Sequence, residues 1–512
     1  MSGVRDVAEL VSAAAAEEPD RVALVEPGGR RTTWSQLEDE VARLATGLGL
    51  AGVVGGQRVL IAMGNRLEFV TTYLGVLRAQ AVAVPVNPRS TVDELARMLD
   101  DSGSRVAVAE PATAAAVREA AGTLAAPPRV VVVGEPSYDD LRAAAAEPVP
   151  PLQDPEKLAA LLYTSGTSGR PRAAMLTHRA LLANVEQVAQ VEPPMIHRDD
   201  VVLAVLPLFH VYGLNAVLGG TMQRRARLVL AERFDPSGTL ALVEAEQCTV
   251  LPVAPPVFPT WEDQPDLRER LRSVRLVLSG SAPLSAEAVQ RFSARTGIPV
   301  HQGYGLTEAA PVVTSTLCSA APEPGSVGAA LPGVELRLVD EGGRSPEGED
   351  SGEIQVRGAN LFSGYWPDGS GGPDAEGWWS TGDVGFLDDD GDLFLVDRLK
   401  ELVIVSGFNV YPTEVEDVIA EVVGVDDVGV IGVEDPQTGE AVVAYVRADP
   451  ASAPDPEALA AAVREHCARR LARFKQPSRV EVVDELPKTV TGKVQKGRLR
   501  GIERRRRSGL LE

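Results

Sequence analysis

Two spacings of hydrophobic residues alternate along the first part of the chain. Apolar residues recur at helical spacing in 35–48 and 67–80, whereas 57–63 and 81–86 are short, continuous apolar runs. The same alternation returns from 227 to 297. Apolar runs of strand length between amphipathic helices are typical of a largely parallel sheet whose faces are covered by helices. The pattern therefore predicts an α/β fold with helix-covered sheets in this part of the chain.

The pattern changes after about residue 325, where short strands are separated by glycine and aspartate turns. Strand-like stretches of this kind lie at 333–343, 352–358 and 385–397. Closely spaced strands with such turns predict antiparallel hairpins. We expect these hairpins to form a small β-barrel-like subdomain.

A compact mixed module begins at Arg398 and alternates strand-like and helical stretches to the end of the sequence. One stretch, 412–422, is predicted to be a helix, with Thr413 and Glu416 placed as a capping box. We therefore divide the chain into a large N-terminal domain of residues 1–397 and a small α+β C-terminal domain of residues 398–512.

Composition is that of an ordinary globular protein, with 44% hydrophobic and 24% charged residues among 512. A chain of this length exceeds what one core supports, which agrees with the division into domains. The net charge of −22 argues against a nucleic-acid partner, because phosphate backbones require a basic face. The three cysteines (Cys248, Cys318 and Cys467) lack metal-ligand spacing. We therefore expect a reducing cytoplasm and neither a zinc site nor a disulfide framework.

One stretch, 201–220, is long and uncharged enough to raise the question of a membrane span. It contains Pro207, His210 and Asn215, and polar groups of this kind are costly in hydrocarbon. A buried strand followed by a loop and a helix suits the stretch better, so no transmembrane segment is expected. Near the other end, the arginine run 504–507 suits weak contact with an anionic membrane surface, although a solvated tail is the simpler interpretation.

Glycine and hydroxyl residues crowd the segment 163–178, which follows an apolar run. Four hydroxyl residues and two glycines occupy the six positions from Thr164 to Gly169, and Arg170 and Arg172 come next. Glycines allow close backbone approach, and the hydroxyl, backbone N–H and guanidinium groups are donors suited to a polyphosphate. The pattern differs from GxxxxGK[ST], the phosphate-binding motif of P-loop proteins. A solvated Gly/Ser linker is the alternative, but linkers rarely follow a buried strand or carry two guanidinium groups.

The motif YTSGTSGRPR at 163–172 resembles the signature phosphate loop of the adenylate-forming superfamily, which includes acyl-CoA synthetases, carrier adenylation domains and luciferases. Further segments resemble motifs of that family in its order: PLFHVYG at 207–213, SGSAPLS at 279–285, QGYGLTE at 302–308, GSVGAALPG at 325–333, GEIQVRG at 352–358, TGD at 381–383, DRLKELVIVSGFNVYPTEVE at 397–416 and LPKTVTGK at 486–493. The resemblance covers nearly the whole chain and is greatest to a bacterial fatty acid:CoA ligase. It implies that ATP and a carboxylate form acyl-AMP and pyrophosphate, and that a thiol then yields acyl-CoA and AMP, with ATP, Mg²⁺ and CoA as cofactors.

The resemblance also implies which residues contact the nucleotide. Tyr304 offers a flat face for adenine, Thr307 a donor for a phosphate, and Glu308 a hard oxygen ligand for Mg²⁺. Asp383 takes the place of a carboxylate that accepts both ribose hydroxyls, and Arg398 that of an arginine that contacts the nucleotide. The other residues implied at the ATP site are Thr164, Ser165, Gly166, Thr167, Ser168, Gly169, Arg172, Gly280, Ser281, Ala282, Gln302, Gly303 and Gly305.

Three residues are implied as catalytic, namely Lys493, Glu308 and Thr164. Lys493 corresponds to the adenylation lysine, which contacts both the carboxylate substrate and the α-phosphate. Attack on the α-phosphate gathers negative charge, and an ammonium group placed beside it offsets that charge.

A mobile C-terminal domain follows from the same resemblance. Lys400 corresponds to the hinge at which this domain rotates after adenylation. The rotation withdraws Lys493 and brings Gly407 and Phe408 to the channel of the CoA thiol, so that one domain serves both half-reactions.

The phosphate loop departs from the family pattern at one position. The family usually continues with Pro-Lys-Gly, whereas this chain has Pro171, Arg172 and Ala173. Arginine keeps the positive charge but is planar and forked, so it does not simply replace a lysine ammonium. The contact made by Arg172 is therefore left open.

The acid is expected to have a hydrocarbon tail. His210, Val211, Tyr212 and Gly213 match the acyl entrance of the family, and neither this stretch nor 309–313 contains an acidic or basic partner for an amino acid or a dicarboxylate. Apolar walls favour alkyl groups, since each buried methylene contributes about 0.8 kcal/mol. A medium- or long-chain fatty acid is the first choice and an aryl or arylpropenoic acid the second.

Two other functions are compatible with parts of the pattern. A stand-alone activator that loads a carrier protein would use the same adenylation residues and a different thiol. A non-catalytic acyl-adenylate or nucleotide sensor is disfavoured, because Glu308, Asp383, Arg398 and Lys493 are all present. The sequence gives no indication of the oligomeric state.

Overall fold

The computed structural model describes residues 4–164, 172–282, 284–340, 344, 351–398, 401, 403–405, 408–435, 438–450, 455–489 and 492–507. Two compact units are distinguished along the chain. The first contains Met1–Thr164, Pro171–Glu335 and Val356–Trp379, and the second contains Leu336–Gln355 and Ser380–Glu512. The functional boundary between residues 397 and 398 stays a prediction.

The described strands are given in chain order. They are β1 (Val22–Val25), β2 (Arg31–Thr33), β3 (Arg58–Ala62), β4 (Val82–Pro85), β5 (Val106–Ala109), β6 (Arg129–Val132), β7 (Leu158–Thr164), β8 (Arg172–Thr177), β9 (Val201–Ala204), β10 (Arg227–Leu230), β11 (Val250–Val253), β12 (Leu276–Ser279), β13 (Val300–Gly305), β14 (Val312–Ser315), β15 (Ala329–Ala330), β16 (Val334–Val339), β17 (Gly352–Gly358), β18 (Trp378–Leu387), β19 (Leu393–Arg398), β20 (Val403–Val405), β21 (Phe408–Val410), β22 (Val425–Asp435), β23 (Gly439–Ala448) and β24 (Arg479–Val483).

The described helices follow the same order. The α-helices are α1 (Glu9–Glu17), α2 (Trp34–Leu50), α3 (Leu67–Arg78), α4 (Val92–Ser102), α5 (Ala114–Gly122), α6 (Pro136–Ala143), α7 (His178–Ala189), α8 (Gly220–Arg224), α9 (Pro236–Glu246), α10 (Val257–Glu262), α11 (Leu267–Arg270), α12 (Ala286–Thr296), α13 (Pro412–Ala420), α14 (Pro456–Arg470) and α15 (Lys496–Arg507). A π-helix spans Tyr212–Gly219, and 3₁₀ turns span Thr307–Ala309 and Arg473–Lys475.

Two largely parallel sheets form the first unit. One has nine strands in the order β15-β14-β13-β12-β11-β9-β10-β1-β2, and the other has six in the order β6-β5-β3-β4-β7-β8. The strands from β13 to β1 are parallel, as are those from β6 to β7, whereas β2, β14, β15 and β8 pair antiparallel at the edges. Central parallel strands are buried on both faces, which explains their continuous apolar runs. The predicted α/β class is confirmed.

Helix starts in the first unit follow from capping residues in the sequence. Thr33 begins α2, where its side chain accepts from the Gln36 N–H and the Gln36 side chain accepts from the Thr33 N–H. Thr91 and Glu94 form the same capping box at α4. These reciprocal bonds satisfy backbone donors that the first helical turn leaves unpaired.

Two smaller sheets follow. The four-stranded sheet has the order β16-β17-β18-β19, in the region where hairpins were expected. The C-terminal sheet has the order β21-β20-β23-β22, and β24 pairs with β23 in parallel. Helices α13 and α14 pack on this sheet around a core that includes Val415, Ile419 and Val463. The mixed α+β character expected of the C-terminal module is confirmed.

The predicted capping box at the start of α13 is wrong. The helix begins at Pro412, with Tyr411 as its N-cap and without a capping side-chain hydrogen bond. Proline suits the first helical position, because the N–H that it lacks would have no acceptor within the helix. Glu416 instead accepts a hydrogen bond from the Val430 N–H at 2.7 Å, which ties α13 to β22.

The long uncharged stretch 201–220 forms a strand, a connecting segment and a helix. Val201–Ala204 is the interior strand β9, and the π-helix begins at Tyr212. Among the described residues, no helix has the length and apolar character needed to cross a membrane.

Candidate functional site

The phosphate-loop motif connects two antiparallel strands in the sequence. Thr164 ends β7 and Arg172 begins β8, and the two residues are paired in register. The Thr164 hydroxyl also donates to the Arg172 carbonyl at 3.4 Å. The structure thus places both ends of the loop together. The predicted nucleotide residues Ser165, Gly166, Thr167, Ser168 and Gly169 lie outside the described residues, and their roles stay predictions.

The motifs SGSAPLS and QGYGLTE meet at the carboxyl ends of parallel strands. Ser279 at the end of β12 pairs in register with Gln302 in β13, so Gly280 lies beside the QGYGLTE motif. A Cβ atom at Gly280 would lie 2.9 Å from the Tyr212 ring. Ser281 adopts a left-handed backbone with φ of 75°. The crevice beyond the carboxyl ends of parallel strands is the usual place of a ligand in such sheets.

Glycines in QGYGLTE serve close backbone packing. A Cβ atom added at Gly303 would lie 2.7 Å from the Thr314 carbonyl oxygen, and one added at Gly305 would lie 2.4 Å from the Pro311 carbonyl oxygen. Tyr304, between them, is largely buried, and its backbone N–H donates to the Thr314 hydroxyl at 3.3 Å. The motif therefore fixes the backbone of β13 against β14, and stacking of Tyr304 on adenine stays a prediction.

Three buried asparagines hold the segment that follows, and none of them was singled out from the sequence for this role. Asn360 Nδ2 donates to the Ala309 carbonyl at 2.7 Å, Asn215 Nδ2 to the Ala310 carbonyl at 2.6 Å, and Asn184 Nδ2 to the Val312 carbonyl at 2.8 Å. Each asparagine is at most 1% exposed. Ala310 has a left-handed φ of 63° between these anchors. The signal in the sequence was a polar amide inside apolar stretches, such as Asn215 in the 201–220 run.

Glu308 occupies the 3₁₀ turn Thr307–Ala309, whose last carbonyl accepts from Asn360. The carboxylate is largely buried at 9% exposure, and Oε1 accepts a hydrogen bond from the Tyr365 hydroxyl at 2.7 Å. The backbone carbonyl of Glu308 accepts from the Phe362 N–H at 2.9 Å. Sequence reasoning placed Glu308 at the site but missed Tyr365, because no spacing rule connects residues that are 57 positions apart.

The predicted acyl segment runs from a tight turn into the π-helix. A Cβ atom at Gly213 would lie 2.3 Å from the Pro207 carbonyl oxygen, so only glycine fits there. His210 Nδ1 accepts from the Tyr212 N–H at 3.3 Å, and burial lowers the pKa of His210 to about 4. Burial also raises the pKa of the Tyr212 phenol. With Val211 buried beside them, His210 and Tyr212 offer a neutral aromatic surface near pH 7.

In the second unit, the two residues implied at the ribose lie opposite each other. Asp383 in β18 pairs in register with Arg398 in β19, and the Arg398 side chain is outside the described part of the chain. Asp383 is 8% exposed, and its N–H donates to the Thr381 hydroxyl at 3.1 Å. Thr381 in turn donates to the Ile354 carbonyl at 2.8 Å, which fixes the turn before Asp383.

Lys493 lies on a tight turn before α15. The Thr489 N–H donates to the Lys493 carbonyl at 2.8 Å, and the Lys493 N–H donates to the Thr489 hydroxyl at 3.1 Å. Gly492 supports the turn with a φ of 87°. After the turn, Lys496 is buried and pairs with Glu416 at 2.9 Å and Glu401 at 3.3 Å. The ion pairs fix the start of α15 and thereby the base of the turn that carries Lys493.

The residues implied in hinge motion and thiol access are not placed. Lys400 and Gly407 lie outside the described residues, and at Phe408 the structure describes the backbone alone, as the start of β21. Their assigned roles stay predictions.

Two family models match the chain. The model of the AMP-binding enzyme family matches residues 11–366, and that of the AMP-binding enzyme C-terminal domain matches residues 414–493.

Relatives of similar length are CoA ligases. The chain is 35% identical to 4-coumarate–CoA ligase 5 of Oryza sativa subsp. japonica over 506 residues, covering 95% of this chain and 92% of the relative. It is 38% identical to feruloyl-CoA synthase of an Amycolatopsis species over 481 residues, covering 93% and 95%. It is 31% identical to the long-chain-fatty-acid–CoA ligase of Bacillus subtilis (strain 168) over 528 residues, covering 96% and 93%. Among solved structures, ATP-bound MatB from Rhodopseudomonas palustris matches with a TM-score of 0.88 at 33% identity, covering 97% of this chain and 98% of MatB.

Proposed function

Because the chain belongs to the AMP-binding enzyme family of adenylate-forming enzymes and is an ATP-dependent acid:CoA ligase, we propose that its acid is a monocarboxylic acid with an uncharged, hydrophobic tail. A carboxylic acid, ATP and CoA are the partners of such a reaction, with Mg²⁺ as the metal cofactor. An arylpropenoic acid is the first candidate and a medium- or long-chain fatty acid is the second.

The observation that carries this proposal is the hydrogen bond from Asn215 to the Ala310 carbonyl. This bond joins the π-helix to the segment that follows Glu308. The stretches 207–219 and 309–316, to which they belong, contain no Asp, Glu, Lys or Arg. A second carboxylate or an amine on the acid would meet no counter-ion in these stretches. Burying such a charge without a partner is costly, whereas burying a hydrocarbon tail is favourable.

An aromatic acid is preferred because of the surface that His210 and Tyr212 provide. The Tyr212 ring lies against Gly280, where any side chain would displace it. Aromatic rings pack well on one another in offset or edge-to-face arrangements. Relatives named for 4-coumarate and ferulate, at 35% and 38% identity, support this candidate. The fatty acid candidate, the first choice from the sequence, is supported by the 31% identical long-chain ligase.

The residues of the first unit that we assign to the triphosphate are Thr164, at the start of the phosphate loop, and Glu308. Glu308 fits a Mg²⁺ ligand, because it is a buried carboxylate whose Oε1 is already oriented by Tyr365. No group of three or more His, Cys, Asp or Glu side chains suited to a metal occurs among the described residues. Mg²⁺ is usually held by one or two carboxylates together with substrate phosphates. When bound, Mg²⁺ neutralises charge on the phosphates.

In the second unit, Asp383 is assigned to the ribose hydroxyls and Lys493 to the adenylation step. A carboxylate oxygen of the acid attacks the α-phosphorus, the bond to the β-phosphate oxygen breaks, and pyrophosphate leaves. The Lys493 ammonium offsets the negative charge that gathers during this step. The CoA thiol then attacks the acyl carbonyl carbon, its proton leaves, and the bond to AMP breaks. The hinge at Lys400 separates the two steps in this proposal.

Pyrophosphate release across a panel of acids tests the proposal. We expect activity with cinnamate, 4-coumarate and ferulate, and with octanoate if the second candidate holds. The matched control is octanedioate, which has the length of octanoate and a second carboxylate. We expect its kcat/KM to be about a hundredfold lower, because its distal charge is buried without a partner. Equal, measurable rates for octanoate and octanedioate would contradict the uncharged pocket, and no release with any acid would favour a nucleotide sensor.

The thiol acceptor is tested on the best acid of that panel. Mass spectrometry of the products, with CoA and with a phosphopantetheinyl carrier protein offered separately, is expected to show thioester with CoA. Thioester on the carrier alone would make the chain a carrier-loading activator. A cytoplasmic location also stays a prediction, which fractionation of cells that express the chain would check.

A further inference from the structure

Three side chains of the first unit form a continuous series that ends on Glu308. The Arg172 guanidinium carbon lies 3.6 Å from the centroid of the Tyr365 ring. The Tyr365 hydroxyl donates to Glu308 Oε1 at 2.7 Å. The series therefore runs from the end of the phosphate loop to the carboxylate that we assign to Mg²⁺.

Tyr365 is held rigidly between these two groups. Its backbone N–H donates to the Ser370 carbonyl at 2.9 Å, and its carbonyl accepts from the Gly369 N–H at 2.8 Å. Phe362 packs edge-on against the ring, with centroids 5.0 Å apart and planes at 78°. At Gly371 a Cβ atom would lie 3.3 Å from the Tyr365 ring, so the small residue leaves room for the stacked guanidinium.

The chemistry of the series favours a fixed carboxylate. A hydrogen bond to a carboxylate is charge-assisted and short, and it restricts rotation of the carboxylate about its last bond. A cation over the phenol ring draws electron density from it and makes the hydroxyl a better donor. Arginine suits this stacking, because its planar guanidinium lies flat on an aromatic face, whereas a lysine ammonium does not. Arg172, at the position where the family usually has lysine, therefore has a physical role in this stacking.

We propose that Tyr365 and Arg172 are positioning residues that hold the Glu308 carboxylate in the orientation needed for the divalent cation of the ATP complex. Tyr365 acts directly on Glu308, and Arg172 acts through the Tyr365 ring. The inference rests on the proposed role of Glu308 as a metal ligand.

The test compares ATP binding with Mg²⁺ and with EDTA by isothermal titration calorimetry, in the absence of acid and CoA. The ratio of the two dissociation constants measures the benefit of the metal. Groups that orient metal ligands typically contribute about tenfold or more to metal affinity. For Tyr365→Phe, which keeps the ring and the stacking, we expect this metal benefit to fall about tenfold. The dissociation constant measured with EDTA should stay within about twofold of the wild-type value.

Tyr445→Phe is the matched control. Tyr445 also donates its hydroxyl to a carboxylate, that of Glu503, in the second unit. We expect its metal benefit to equal that of the wild type. An unchanged metal benefit in Tyr365→Phe, or an equal loss with Mg²⁺ and with EDTA, would overturn the inference.

Glu308→Gln separates this inference from the proposed function. If Glu308→Gln keeps the full metal benefit, the assignment of Glu308 as a ligand falls. If Glu308→Gln removes the benefit while Tyr365→Phe keeps it, the ligand assignment stands and the positioning inference alone falls.

Arg172→Lys tests the indirect action of the guanidinium and, as a substitution of an exposed side chain, leaves the core intact. We expect it to lose about threefold of the metal benefit in the wild-type background and nothing further in the Tyr365→Phe background, since coupled residues are non-additive. A loss of the same size in both backgrounds would show that Arg172 acts on the phosphates directly, which would overturn its place in the series.

Discussion

At the scale of single residues, Asp6 and His178 are a buried pair without an ion pair between them. Asp6 is 4% exposed, and burial raises its pKa to about 7, whereas burial lowers the pKa of His178 to about 4. The Val7 N–H donates to His178 Nδ1 at 3.2 Å, so this nitrogen carries no proton. The 3.5 Å contact of Asp6 with the same nitrogen is therefore made by a neutral imidazole.

The raised pKa of Asp6 makes stability depend on pH. The folded state holds the Asp6 proton more tightly than the unfolded chain, whose carboxyl has the ordinary pKa of 3.8. The contribution of Asp6 to the free energy of unfolding therefore falls by up to about 1.4 kcal/mol per pH unit between 3.8 and about 7. Asp6→Asn keeps an acceptor for the Ala8 N–H and removes this dependence. We expect the melting temperature of the variant to exceed that of the wild type at pH 8 but not at pH 4.

Melting temperatures of both proteins from pH 4 to pH 8 check this expectation. His178, whose lowered pKa stabilises the fold as pH rises towards 6.5, is present in both proteins, so its contribution cancels in the difference. Arg78 and Glu9, the charged groups that also act on Asp6, are likewise unchanged. A difference in melting temperature that does not vary with pH would contradict the raised pKa of the buried Asp6 carboxyl.

Single residues also show where sequence reasoning ends. Glu308 and Asp383 could be named because each belongs to a short contiguous motif. Tyr365 could not, since its contact with Glu308 depends on how the chain returns to the site after 57 residues. Arg172 was recognised as a departure, but its stacking partner became visible only in the structure.

At the scale of elements, strands and helices were predictable and the irregular segment between them was not. The parallel strands of the first unit are continuous apolar runs, so their spacing indicated them directly. The π-helix Tyr212–Gly219 has no spacing signal of its own, because its extra residue per turn depends on Gly213 packing on Pro207 and on the bonds of Asn215. Such π segments are rare and are frequent at functional sites.

The π-helix leads to a prediction about Asn215. Its side chain donates to the Leu181 carbonyl at 3.0 Å and to the Ala310 carbonyl at 2.6 Å. Asn215→Leu removes both bonds and takes from the buried Ala310 carbonyl its Asn215 donor, at a cost of about 1–3 kcal/mol in the free energy of unfolding. Since the bond to Ala310 holds the proposed acyl surface, we expect KM for the acid to rise about tenfold while KM for ATP stays within about twofold.

Asn360→Leu is the matched control for Asn215→Leu. Asn360 is equally buried and donates to the neighbouring Ala309 carbonyl, but it does not belong to the π-helix. We expect a comparable loss of stability in urea denaturation without a selective rise in KM for the acid. If both variants change KM for the acid alike, Asn215 has a general structural role and the acyl assignment of the π-helix loses its support.

At the scale of the whole molecule, the order of motifs carried more information than any local pattern. Single segments such as TGD or DRLK are ordinary turns by composition, and only their succession along nearly the whole chain indicated a common function. The family model over residues 11–366 confirms that reading. The identity of the acid did not follow, because it depends on which side chains the fold brings together around the acyl group. Relatives at 31–38% identity are named for different acids.

The division of chemistry between two steps gives the prediction at this scale. Lys493 is assigned to charge that develops on the α-phosphate, and thioester formation from acyl-AMP no longer involves that charge. We therefore expect Lys493→Ala to lower the rate of pyrophosphate release by about a hundredfold or more, the usual effect of removing one such group. Thioester formation from supplied acyl-AMP and CoA should stay within about threefold of the wild type, since the residues that admit CoA are unchanged.

Lys488→Ala is the matched control for Lys493→Ala. Lys488 belongs to the same turn, opposite Val494, and pairs with Asp427 at 2.5 Å. Its removal takes away an equal charge from the turn without removing the group assigned to the α-phosphate, so both half-reactions should stay near the wild-type rate. Equal loss of both half-reactions in Lys493→Ala would show that the lysine holds the turn or the bound adenylate instead. Loss of adenylation in Lys488→Ala as well would assign the effect to the net charge of the turn.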